Sequence, residues 1–196
     1  GGKAARIATV PGEIGRLSWS PDGTKLVFVD DRRDHSFVGL IDVATRRLSY
    51  PGSGLGFAVE PVFSPDGKTL YISQEDDAAL GFFDIASGKF TRTVEVGKEP
   101  EGVKASPDGK LVWVTSEVAN MVHVIDAATG KVIKNVKVGK RPRRMALTPD
   151  GSQLWVTNEL AASVTILSAD ITPAQPWRQA RLPRHGCVRR SFGRSP

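Results

Sequence analysis

Short apolar runs, each closed by a turn, repeat along this chain at a fixed spacing. Between Ser106 and Lys131 a Ser-Pro-Asp-Gly turn leads into an apolar run at Leu111–Thr115. A polar loop follows, then a second run at Met121–Asp126 and an Ala-Thr-Gly turn. The unit recurs. Asp42, Asp84 and Asp126 each end such a run 42 residues apart, and Ser64, Ser106 and Thr148 open a turn at the same interval. The first turn, at Ser20, stands 44 residues before Ser64, which places two extra residues in the loop Asp30–Ser36. Several short strands per period of about 40–45 residues predict a β-propeller.

The columns of the repeat give the physical reason. Val27, Tyr71, Trp113 and Trp155 fall in one column, with Val29, Ser73, Thr115 and Thr157 two residues further on. By the period-two rule these share one face of a sheet, while Phe28, Ile72, Val114 and Val156 point to the other. Both faces are apolar or small, so each sheet must be sandwiched between neighbours. Radial stacking of blades does that, with Tyr71, Trp113 and Trp155 expected to pack between blades.

The expected fold is all-β, built of four-stranded antiparallel blades. Residues 1–10 read as the outermost strand of a preceding blade, because Gly2–Val10 aligns with Gly130–Val138. Residues 11–50, 51–96 and 97–138 make blades 1 to 3, and 139–168 supply three strands of a fourth. There the pattern stops inside a repeat: the period asks for an aspartate at position 168 and the chain has Ser168. Residues 169–196 are then a basic tail without period, read as the product of a shifted reading frame or as a disordered segment. An open arc of a larger, seven-bladed ring is expected. A closed four-bladed ring is the alternative, since one outer strand at the start and three strands at the end complete a blade.

Charge changes the picture only once it is located. Of the net +6, the tail accounts for most, with Arg178, Arg181, Arg184, Arg189, Arg190 and Arg194 against Asp170. A nearly neutral body lacks the basic footprint of a nucleic-acid binder. No apolar run is long enough to span a bilayer as a helix, and the single Cys187 excludes an internal disulfide. There is no histidine pair at metal-ligand spacing, no C-x-x-C-H, no G-x-S-x-G and no phosphate loop, so no catalytic residue is assigned.

Candidate binding residues follow from propeller geometry, in which the loop between second and third strands and the segment leading into each blade share one face. The first carries Asp31, Glu75, Glu117 and Glu159, all at the same phase after their turns, with Asn158 beside the last. The second carries Arg141, Arg143 and Arg144, alongside Lys98, Glu99 and Glu101. A column of carboxylates suits Ca²⁺, held by Glu75, Glu117 and Glu159. The competing reading has each acid capping its own loop, and on that reading no cofactor is expected. The arginines suit an anionic ligand, an acidic partner or salt bridges to Glu117 and Glu159.

Trp155-Val156-Thr157-Asn158, Trp113-Val114-Thr115-Ser116 and Val122-His123-Val124-Ile125-Asp126 resemble the YVTN family of β-propeller repeats, as do Val138-Gly139-Lys140-Arg141-Pro142 and Val96–Gly102. The resemblance covers residues 58–167 well and 1–57 more loosely. Within that family the chain is most similar to propellers associated with catabolism dependent on pyrroloquinoline quinone (PQQ). The resemblance implies a periplasmic or secreted binding or scaffold protein without catalysis, monomeric at full length, docking a protein partner or small ligand at its funnel face and accessory to PQQ-dependent alcohol oxidation. Two alternatives stand beside it: a lactonase-type hydrolase using a divalent cation in the funnel, and a haem- or quinone-linked electron-transfer accessory.

Overall fold

The computed structural model describes residues 4–51 and 57–169. Within them lie fifteen strands and no helix. Blade 1 consists of β1 (Glu13–Trp19), β2 (Lys25–Arg32), β3 (His35–Asp42) and β4 (Leu48–Ser49). Blade 2 runs through β5 (Ala58–Phe63), β6 (Thr69–Gln74), β7 (Ala79–Asp84) and β8 (Lys89–Glu95). Blade 3 comprises β9 (Pro100–Ala105), β10 (Leu111–Ser116), β11 (Met121–Asp126) and β12 (Val132–Lys137). Blade 4 has three strands, β13 (Pro142–Leu147), β14 (Gln153–Asn158) and β15 (Ser163–Ser168). Every blade is an antiparallel meander, and together they form a β-propeller of four blades.

The turns that set the period are held by their own side chains. In blade 3, Ser106 Oγ donates to Asp108 Oδ1 at 2.6 Å and accepts the N–H of Leu111, while Asp108 takes the N–H of Lys110. Ser20, Ser64 and Thr148 repeat the arrangement. The fourth turn residue is left-handed each time, with φ near 70° at Gly23, Gly67, Gly109 and Gly151, which is why glycine stands there. Asp42, Asp84 and Asp126 are architectural, each accepting the N–H of the residue three further on.

Blades pack in series. Leu70 and Ile72 of blade 2 meet Val27, Val38 and Leu40 of blade 1. Tyr71, Leu80 and Phe82 meet Val103, Val112 and Val114 of blade 3. Trp113, Val122 and Val124 then meet Leu154, Val156 and Leu167 of blade 4. Residues 4–10, expected as a strand, form none; Ile7, Ala8 and Val10 instead pack on Leu26, Phe28 and Ile41 of blade 1. The expected extra loop in blade 1 is also absent. The two residues lengthen the β2–β3 hairpin, which stays paired as far as Arg32 and His35. Trp155 departs from its column: Trp113 is 1 % exposed and Trp155 is 39 % exposed. The tail read from Asp170 onward lies outside the described residues.

Candidate functional site

Each inner strand carries a bulge at the same place, and the bulges bring charge to the propeller axis. Pairing shifts register between Ala58 and Pro61 in β5, opposite Val114 and Ser116 in β9, and between Pro142 and Met145 in β13. A bulge re-aims the side chains it contains. Here those are Glu60 in blade 2, Glu101 in blade 3, and Arg143 and Arg144 in blade 4. The corresponding shift in β1 falls between Gly15 and Ser18 and contains Arg16.

The result is one lattice of ion pairs across three blades. Arg143 reaches Glu101 at 2.6 Å, Glu117 at 3.0 Å and Glu159 at 3.2 Å. Arg141 pairs with Glu117 at 2.5 Å and with Glu159 at 3.3 Å. Arg144 pairs with Glu60 at 3.0 Å, two blades away, and approaches Glu101 at 3.6 Å. Glu101 and Glu117 are buried, so these pairs are weakly screened and geometrically demanding. Glu117 Oε1 shows the strain of sharing: it lies 3.0 Å from Arg143 Nε but off the line a hydrogen bond needs, so its pairing is electrostatic.

Burial, opposed by Arg143, pushes the Glu101 carboxyl above the usual carboxylate range, and burial also raises Glu60. The Glu117 carboxylate holds Arg141 above its ordinary value. For Arg143, burial works against the charge, and Glu101 and Glu117 outweigh it.

Beside the lattice is a cavity of about 320 Å³ at the axis, walled by Glu13 and Arg16 of β1, Asp31, Glu75, Glu101 and Arg143. All four blades contribute to it. Glu75 is pushed upward by burial and by the neighbouring carboxylates Glu101, Glu99 and Glu117.

The structure therefore joins Glu117, Glu159, Arg141, Arg143 and Arg144 in one cluster and leaves Asp31 and Glu75 on the cavity wall. Asn158 is apart: it is buried, with its amide donating to Ser163 and to Thr165 Oγ1 at 2.9 Å within its own blade. Glu117 and Glu159 do not cap their own loops with their side chains, since arginines take them. Among the described residues no three carboxylates converge as metal ligands, so the Ca²⁺ set Glu75, Glu117 and Glu159 is not assembled. Glu60 was invisible to loop-based reasoning, because it lies inside a strand. Its signal was the period: Glu60 and Arg144 share one column two repeats apart, as Glu101 and Arg143 share another one repeat apart.

Haem iron needs His, Met, Cys or Tyr as axial ligand. His123 is buried, its Nδ1 hydrogen-bonded to Asn135 at 2.7 Å and its Nε2 accepting the Gly97 N–H, so both ring nitrogens are engaged. Tyr50 donates to Asp30, Tyr71 packs between blades, and Met145 packs between blades 3 and 4. His35 sits exposed on the β2–β3 hairpin against Phe37. Arg141, Arg143 and Arg144, which could receive acidic groups, are committed to glutamates. The axial cavity of the described residues does not fit a haem.

The sequence profile of a family described as the cytochrome D1 heme domain matches residues 22–172. Among curated proteins no significant match is found. The fold is similar to that of a functionally unknown protein from Desulfotomaculum acetoxidans, with a TM-score of 0.72 and 16% identity over 86% of this chain and 55% of that one. It is also similar to Kuenenia stuttgartiensis hydrazine synthase, with a TM-score of 0.66 and 23% identity over 85% of this chain and 49% of the other. The chain thus spans about half the length of these structures. The family match corrects the expectation that no cofactor is involved: the chain's relatives are defined by haem. Among the described residues no helix is long and apolar enough to cross a membrane.

Proposed function

The chain belongs to the cytochrome D1 heme domain family, and from that premise we propose that it is a haem-linked accessory of electron transfer. The observation that carries this reading is the family match over residues 22–172. With no axial donor at the cavity and every lattice arginine paired, this chain's part is to present a rigid, charged funnel face beside a haem centre whose iron is ligated from outside the described residues.

Three features support that role. The inner-strand lattice fixes the spacing of blades 2, 3 and 4 through charges that neighbouring blades share. Glu13, Asp31 and Glu75 line the cavity and form no ion pair among the described residues, which leaves acidic groups for a cationic surface of a partner. The YVTN-like repeats, similar to those of PQQ-linked propellers, support an oxidative partner that delivers electrons, in the periplasm.

Titration of the purified 196-residue chain with a haem-carrying cytochrome, followed by Soret absorption, tests the reading. A saturable perturbation of the cytochrome's Soret band is expected, against none with free haemin. Absence of any Soret perturbation at micromolar protein would overturn it.

A further inference from the structure

The axial cavity is walled by more negative charge than its arginines balance. Four carboxylates line it, those of Glu13, Asp31, Glu75 and Glu101, against the two guanidiniums of Arg16 and Arg143. Arg143 is also shared with Glu117 and Glu159 of the lattice. Arg16 acts on Glu101 and Glu60 only at a distance and makes no ion pair with either. Glu75 and Glu101 belong to blades 2 and 3, and both of these blades are packed by a neighbour on each side.

One carboxylate oxygen of this wall is left over. Glu101 is 5 % exposed, and its Oε1 accepts from Arg143 at 2.6 Å. Its Oε2 is buried without a hydrogen-bond donor, since the ion pair with Arg144, at 3.6 Å, is too long for one. Such an oxygen costs free energy until a donor reaches it. The backbone beneath it is fixed by hydroxyl joints between blades. Ser73 Oγ accepts the Glu60 N–H at 3.0 Å and donates to the Glu101 carbonyl of the next blade at 2.8 Å. Thr115 Oγ1 accepts the Gly102 N–H at 2.7 Å and donates to the Arg143 carbonyl at 3.1 Å. The oxygen is thus held in place before any ligand arrives, which lowers the cost of binding one. A cation at this point would also relieve the repulsion between Glu75 and its neighbours.

The rest of the wall says which kind of cation fits. Val29 and Ala58 give it buried apolar surface and Phe57 half-buried surface, while Glu13 and Asp31 are exposed. Among the described residues no three acids converge as ligands of a metal ion. Carboxylates at two depths, with hydrocarbon surface beside them, suit charges carried on a carbon chain. A cavity of about 320 Å³ is of small-molecule size. We propose that the axial cavity binds a small aliphatic diamine in its diammonium form. One ammonium donates to Glu101 and Glu75 at the buried end, the methylenes lie against Val29, Phe57 and Ala58, and the second ammonium meets Glu13 and Asp31. Its two charges equal the excess of the four carboxylates over Arg16 and Arg143. The same acids face the partner in the haem-linked reading, but the diamine needs no partner and binds the chain alone.

Isothermal titration calorimetry of the full chain with diaminobutane, an amine at each end, tests the site. One saturable site per chain is expected. Butylamine, which lacks the second charge, should bind about tenfold or more weakly, the loss of one charge-assisted contact. Glu75→Gln should weaken the diamine by a similar factor. The double variant Glu13→Gln/Asp31→Asn changes only exposed side chains, and it should bring the diamine down to the affinity of butylamine. Unchanged far-ultraviolet circular dichroism shows that each variant is folded. No saturable heat up to millimolar diamine overturns the proposal. So does equal affinity for the two amines, and so does undiminished binding by either variant, the mark of an adventitious ion only. A Soret perturbation of the cytochrome without diamine binding leaves the haem-linked reading standing and overturns this one.

Discussion

Arg143 is the side chain on which the axial lattice depends most. Its guanidinium touches three carboxylates from two blades, and two of these, Glu101 and Glu117, are buried. Removing one partner of a buried pair leaves an uncompensated charge and typically costs about 3–5 kcal/mol. Arg143→Met is therefore expected to lower stability by an amount in that range, read as a fall in urea midpoint. Arg144→Met, which leaves Glu101 still paired, costs less. A double variant Arg143→Met/Glu101→Met should recover part of the loss, because the orphaned carboxylate goes with the cation. Equal destabilisation by the single and double variants would show that the pair is not what holds the blades.

At the level of the strand and the joint, the hydroxyl column makes a differential prediction. Thr115→Val strands the buried Gly102 N–H and the Arg143 carbonyl, a loss of about 1–3 kcal/mol. Thr157→Val, at an uncovered face, should stay within about 0.5 kcal/mol in the single chain. Chemical denaturation of the two variants gives the comparison directly. Gly102 fixes the same joint from the backbone side, since a Cβ there would sit 2.2 Å from the Arg143 oxygen.

Much of this level was legible in the sequence. Strand positions, turn chemistry and the column facing the next blade all follow from a 42-residue period, because every blade solves the same burial problem. β5 and β11 fall where the repeat places them, residue for residue. What the period could not show was the state of the ends. Trp155 and Trp113 share Trp-Val-Thr and differ in exposure, because among the described residues a blade packs on Trp113 and none packs on Trp155. The bulges were also hidden, since a bulge changes where Glu60 and Arg143 point without changing the alternation that marks a strand. Hence the loop carboxylates Glu117 and Glu159 and their pairing with Arg141 and Arg143 are legible in the sequence, while the strand carboxylate Glu60 and its pairing with Arg144 are not.

For the whole molecule, two opposed groups of acids set the pH dependence. The turn aspartates are held below the usual range by hydrogen bonds from Ser or Thr and from backbone N–H groups, Asp22 and Asp150 down to about 2. Their contribution is present above the ordinary 3.8 and is lost as pH falls toward 2. Burial raises Glu60, Glu75 and Glu101, so the folded state holds their protons more tightly than the unfolded chain does. Their contribution is complete below the ordinary 4.5 and is lost as pH rises through the raised values. Thermal midpoints should therefore peak in the mildly acidic range and decline on both sides. Glu75→Gln should flatten the decline toward neutral pH and leave the acid limb unchanged. An unaltered neutral limb would mean that Glu75 is not strained by its neighbours.

The hydroxyl joint has one more consequence, for how such molecules change over generations. Ser73 and Thr115 each receive a proton donor from their own blade and hand one on to the next, so blades 2 and 3 each carry half of two joints, while Val29 holds the column in blade 1 without a hydroxyl. A duplicated or deleted 42-residue unit meets the same partner atoms on either side. Ring size is then written in the number of copies and in no single copy, and it can be inherited, doubled or halved by one recombination event without redesigning a contact.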